Sequence, residues 1–128
     1  RGIYVTVDAA GQVYPLSLFG KFVKMGADFQ CIAAKYLGAS QSSGLALGTE
    51  EMIRKISKQS FVGYEGRRIR GIGRPHKVDR QEMLGVVAAV KYWLSSNHEE
   101  RLSKAESQSQ TIVSALSGIS GVEAVGGR

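Results

Sequence analysis

Apolar and β-branched residues fill Ile3-Tyr4-Val5-Thr6-Val7, a run that suits a strand buried on both faces of a parallel sheet. Turn residues follow from Gly11 to Pro15, and Pro15 is acceptable in a first helical turn. Leu16, Phe19, Phe22 and Val23 then recur at helical spacing, which predicts a helix up to Met25 that Gly26 ends. Asp28 to Ala34 predicts a second strand, so the chain opens with a βαβ unit, expected to cross over right-handed. Gly38 to Ser43 is a loop of small residues, and Gly44 to Gly48 a short third strand. Only eight residues separate Lys35 from Gly44, too few for a helical crossover, so the third strand is expected antiparallel to the second.

Thr49 is placed as an N-cap, with Glu50 and Glu51 in the first turn of a helix that carries Met52, Ile53 and Ile56 inward and ends near Gln59. Ser60 to Val78 reads as an irregular basic segment with four glycines, Gly63, Gly66, Gly71 and Gly73. A loop of that length in a compact protein is usually functional or disordered. Asp79 and Glu82 form a capping-box-like pair opening a long helix, and Val78 and Met83 are spaced for a hydrophobic staple. The pattern predicts that the apolar members of Leu84, Val87, Ala88, Lys91, Tyr92 and Leu94 make the inner face of this helix. A second amphipathic helix runs from His98 to Leu116, and Gly121 to Val125 reads as a strand beginning.

Composition adds little to this picture. An apolar share of 43% and a charged share of 22% are ordinary for a folded globular chain. The 128 residues suffice for one domain with a modest core. Strand-like sequence begins at Ile3 without a lead-in, and the last strand has barely started when the sequence ends at Arg128. The chain is therefore expected to be the middle-to-late part of a longer polypeptide. No apolar stretch approaches the roughly 20 residues that span a membrane, and a cytoplasmic location is the default expectation. The single Cys31 has no partner for an intramolecular disulfide and reads as a small buried core residue.

Charge is more informative. Much of the net +6 lies in Arg67, Arg68, Arg70, Arg74, Lys77 and Arg80, with His76 among them. Nucleic acid, a phosphorylated substrate or solvent could each face such a cluster. The absence of interleaved aromatic residues disfavours nucleic acid. His76 and His98 have no Cys or carboxylate partners at ligand spacing, so no metal site is expected.

The candidate chemistry lies in Lys35 and Asp8. Lys35 follows the apolar run Phe29 to Ala34, and Asp8 ends the run Ile3 to Val7. A lysine leaving one strand and an acid leaving its neighbour are what pyridoxal-phosphate chemistry needs: an amine to hold the cofactor as a Schiff base, and a carboxylate to keep its pyridine nitrogen protonated.

Three segments, Val7-Asp8-Ala9-Ala10, Lys35 to Gly48, and Ile72-Gly73-Arg74-Pro75-His76-Lys77-Val78 with the helix after it, resemble the selenocysteine-synthase-like branch of fold-type I pyridoxal-phosphate enzymes. That branch includes seryl-tRNA selenium transferase and the D-glucosaminate-6-phosphate ammonia-lyase-like proteins. The resemblance spans Val5 to Leu94. It implies an α/β fold: residues 1–78 as the C-terminal part of a large domain with a mixed, mostly parallel sheet flanked by helices, ending in a basic connecting loop. Residues 79–128 would be long helices leading into a small C-terminal α+β domain.

It further implies Lys35 as the Schiff-base lysine, Asp8 on the pyridine nitrogen and Ala10 against the ring face. Gln41, Ser42 and Ser43 would lie near a cofactor phosphate, that of the same or a partner subunit, since such enzymes build their sites at homodimer or larger homo-oligomer interfaces. Arg74 would meet a substrate carboxylate or phosphate through its bidentate fork. The activity implied is that of a lyase or transferase, similar to aminotransferase class V enzymes, which removes the α-proton of an amino acid or amino-sugar acid and eliminates or replaces a β-substituent. Segments upstream of the acid also hold the cofactor in such enzymes, so the fragment alone is expected to be inactive. The chain departs from the family at Ile32, where a serine is usual, at Ala33-Ala34, where a glycine is usual, and at Ser40, which replaces a loop proline. Two alternatives remain: a tRNA-contacting protein of the selenium-transferase type, and a non-catalytic homologue on the same fold.

Overall fold

The computed structural model describes residues 2–68 and 71–126, with the backbone alone for Arg67. Arg70 of the basic cluster, and the side chain of Arg67, lie outside the described residues. The chain forms two compact units, Arg1–Leu94 and Ser95–Arg128. The first ends well beyond position 78, because the long helix that follows packs its Trp93 into the core of this unit.

The first unit is built on a three-stranded sheet in the order β1-β2-β3, with β1 Thr6–Asp8, β2 Phe29–Ala33 and β3 Gly44–Gly48. β1 pairs with β2 in parallel, Asp8 standing opposite Cys31. β2 pairs antiparallel with β3, from Phe29 opposite Gly48 to Ala33 opposite Gly44, as the short connection requires. β1 is shorter than the apolar run predicts, and it is an edge strand. Ile3 is 81% exposed, and Tyr4 and Val5 are exposed too, so the expectation of a strand buried on both faces fails. Backbone bonds still tie the approach to this strand: Asp28 N donates to Val5 O, and Val5 N donates to Asp28 Oδ2 (2.8 Å each).

One continuous helix was expected between β1 and β2. The chain instead makes a 3-10 turn, Leu16–Leu18, then the four-residue α1, Lys21–Lys24. Gly20 between them takes φ +69°, a left-handed conformation that glycine adopts without steric cost and that interrupts the helix. Buried Gln30 holds the two pieces to the sheet. Its Oε1 accepts from Phe22 N (3.2 Å) and its Nε2 donates to Leu18 O (3.4 Å). Gln30→Leu strands both backbone groups in a poorly hydrated place. It is expected to cost about 2–4 kcal/mol of unfolding free energy in urea denaturation.

After β3, Thr49 caps α2, Glu50–Lys58, accepting Met52 N on its hydroxyl. Met52 and Ile53 are half-buried, but Ile56 is exposed, contrary to the inward placement expected of it. Glu51 lies on the solvent side with Lys55, whose ammonium donates to Glu51 Oε1 (2.7 Å) and to the Tyr4 hydroxyl. Tyr4 in turn donates to Glu51 (2.8 Å).

The hydrogen bond from Lys55, then that from Tyr4, pulls the Glu51 carboxyl below its ordinary pKa. The bonds to Glu51 and Tyr4 push Lys55 above its own. A depressed carboxyl stabilises the fold above its unfolded pKa, and that stabilisation is lost as pH falls through the folded value. A raised lysine stabilises below its unfolded pKa, and is lost as pH rises through its folded value. Both contributions are therefore present at neutral pH. Glu51→Gln should lower the melting temperature slightly at pH 7, and the gap to the wild type should close in acid below the ordinary carboxylate range. A gap unchanged at low pH would rule this out.

The segment expected to be irregular from Ser60 contains a helix, α3 Phe61–Arg67. Ser60 caps it by accepting Gly63 N (3.2 Å). Gly63 is required where it stands, since a Cβ there would lie 2.7 Å from the Ser57 carbonyl oxygen.

Asp79 caps α4, Arg80–Ser95, by accepting Glu82 N (2.7 Å). Val78 and Met83 are both exposed, so the expected staple between them leaves each largely in solvent. The inner face of α4 is not the predicted one. Val86, Ala89 and Trp93 are buried and Val90 packs beside them, whereas Leu84 (70%), Val87, Tyr92 (72%) and Leu94 are exposed. The helix is apolar on two sides, and the side with the largest ring enters the core. There Trp93 and Ala89 join Val13, Ile32 and Leu37, and Trp93 Nε1 donates to Val13 O (3.0 Å).

In the second unit α5 spans His98–Leu116, with the bounds read from the sequence. Asn97 caps it by accepting Glu100 N (3.2 Å). Gly121 to Val125, expected as a strand, is not one: these residues pair with no strand among the described residues.

Candidate active site at the ends of the parallel strands

Parallel strands end on the same edge of a sheet, so the residues leaving β1 and β2 meet there. Asp8 is the last residue of β1. β2 ends at Ala33 and passes into a 3-10 turn, Ala34–Leu37, that carries Lys35. Two contacts fix the neighbourhood. Ala33 N donates to Ala10 O (3.0 Å), and the ring of Tyr36 lies against Gly11, within 3.8 Å of where a Cβ would stand.

The Asp8 carboxylate is held from one side. Oδ1 accepts from Ala10 N (3.1 Å) and lies 3.3 Å from Cys31 Sγ. Among the described residues Oδ2 accepts no hydrogen bond. The Lys35 side chain is exposed; its ammonium lies 5.2 Å from the centre of the Tyr36 ring and makes no hydrogen bond or ion pair among the described residues. Asp8 and Lys35 share an edge without pairing to each other. An exposed amine and a carboxylate with one oxygen unengaged among the described residues are the donor types that an aldehyde cofactor carrying a basic ring nitrogen would require.

The other predicted contacts divide. Ala10 is half-buried, and its backbone is used at both ends, by Asp8 and by Ala33. Gln41 is exposed and engages no partner among the described residues. Ser42 Oγ donates to Glu82 Oε1 (3.2 Å). Ser43 is buried, and its hydroxyl donates to Ser40 O (2.7 Å) while accepting from Ser40 Oγ. That hydroxyl closes the loop upon itself. Ile32, 1% exposed, belongs to the core. The amine and acid end of the candidate site is thus open, while of the three loop residues expected near a phosphate only Gln41 is unengaged among the described residues.

Arg74 is already occupied. Its Nε lies 3.4 Å from Glu65 Oε1, and its guanidinium sits 5.5 Å from the centres of both the Phe61 and Tyr64 rings. Lys77 stands over the same Phe61 ring (4.8 Å). Aromatic residues therefore do interleave the basic cluster in space, supplied by α3, although none does along Arg67 to Arg80. These contacts hold residues 74–77 against α3 and link Arg74 to neither Asp8 nor Lys35.

Cys31 departs from the sequence expectation in a way that bears on the site. It is only half-buried, and its thiol donates to Asp8 rather than filling the core. The register that sets Cys31 opposite Asp8, with β2 running on to Ala33, brings the thiol there, and no local pattern in the sequence fixes that register.

Among the described residues no three His, Cys, Asp or Glu side chains converge as a metal site would need, and no helix is long and apolar enough to cross a membrane. No protein-family model matches the chain, and no curated protein matches it either.

Proposed function

We propose that this chain is the lysine-bearing part of a pyridoxal-phosphate-dependent lyase or transferase, cytoplasmic and homo-oligomeric, acting on an amino acid or amino-sugar acid. One observation carries this reading: an unpaired Lys35 amine and an Asp8 carboxylate with a free oxygen leave the same edge of the parallel pair β1–β2. Lys35 Nζ would hold the cofactor through its carbonyl carbon and would serve as the base for the substrate's α-proton. Asp8 would face the cofactor's ring nitrogen and keep it protonated, with Oδ1 held by Ala10 and Cys31 and Oδ2 unengaged among the described residues. Ala10 would lie against the ring, and Gln41 remains as a phosphate donor. Bound pyridoxal phosphate supplies the electron sink that makes a carbanion beside nitrogen accessible.

A second reading, a non-catalytic homologue, is favoured by Ile32 in the core and by the inward hydroxyl of Ser43. One experiment separates the two. The intact protein is incubated with pyridoxal phosphate, reduced with borohydride and mapped by peptide mass. A phosphopyridoxyl group on Lys35 supports the enzyme. A folded protein without that adduct supports the non-catalytic homologue.

A further inference from the structure

We infer that Cys31 is a positioning residue for Asp8, fixing which carboxylate oxygen the site offers. The inference rests on the proposed cofactor reading for its consequence, though not for the contact itself. Asp8 and Cys31 are register partners in the parallel pair, so their side chains share a face of the sheet. The opposite face of β2 carries buried Gln30 and Ile32. Cys31 Sγ and Ala10 N both reach Oδ1, at 3.3 and 3.1 Å. Two donors on one oxygen hold the carboxylate plane and leave Oδ2 as the oxygen without a hydrogen bond among the described residues. A backbone N–H alone would leave the carboxylate free to rotate about that single bond. Alanine at position 31 removes the second donor, whereas serine keeps one of similar size.

The contact is directly observable, because the S–H stretching band that Cys31→Ala removes from the infrared spectrum belongs to Cys31. The cofactor-free protein should show this band at lower frequency than Asp8→Ala does. Identical bands would overturn the contact. With pyridoxal phosphate added, Cys31→Ala should weaken uptake at Lys35 about five-fold, the size of one weak charge-assisted hydrogen bond, and Cys31→Ser should recover it to within about two-fold. If wild type and Cys31→Ala take up the cofactor equally, the positioning role is wrong and the proposed function stands. If the wild type takes up none, the proposed function falls and the positioning role with it, whatever the infrared band shows.

Discussion

Lys35→Arg is expected to abolish the phosphopyridoxyl adduct at this position while leaving unfolding free energy within about 0.5 kcal/mol of the wild type, as exposed substitutions usually do. The substitution keeps the positive charge and most of the stem, and Lys35 makes only a ring contact with Tyr36 among the described residues. It removes the nucleophile, since a guanidinium does not deprotonate in proteins. Peptide mass mapping after reduction, beside urea denaturation of the same preparation, reads both quantities. An adduct that persists on another lysine in Lys35→Arg would mean that Lys35 is merely one accessible amine among several. A large loss of stability would mean that Lys35 serves the fold.

The largest structural effect belongs to Trp93→Ala, with an expected cost of about 3–5 kcal/mol. Trp93 is 9% exposed, packs among Val13, Ile32 and Leu37, and donates its indole N–H to Val13 O. Truncation leaves a cavity and an unpaired carbonyl in the cluster that joins α4 to the sheet. Trp93→Phe fills most of the space without the donor and should cost less than half as much. Equal losses from the two variants would show that the hydrogen bond, and not the packing, holds the helix.

What could be read from sequence depended on whether a local cause decided the outcome. Thr49, Asp79 and α5 could be placed because capping side chains and helical periodicity act over a few residues. The antiparallel β3 followed from a connection too short for anything else. The remaining elements were settled by partners far along the chain. Gly63 looks like a helix breaker until the carbonyls of Lys58 and Ser57 come too close for a Cβ to fit. α4 carries two apolar stripes, and nothing local says that Trp93 will find Val13 eighty residues earlier.

The candidate site divides in the same way. Lys35 and Asp8 stood out as strand-end residues. The engagement of Arg74 with Glu65, Phe61 and Tyr64 could not be foreseen, because the helix that presents those groups was itself hidden among glycines. Ser43 looked free in a loop whose internal hydrogen bonds depend on its folded shape.

The central place of β2 has a kinetic consequence. Its antiparallel partner follows after one short loop, whereas its parallel partner must return across the whole connection from Asp8 to Phe29. Loop closure favours the nearer pairing, so the β2–β3 hairpin should form early and β1 should dock late. Lys35 would then be in position before Asp8 arrives. Slow amide exchange along β2 and β3, with faster exchange along β1, would mark that order, and the site would be the last part of the sheet to assemble and the first to come apart.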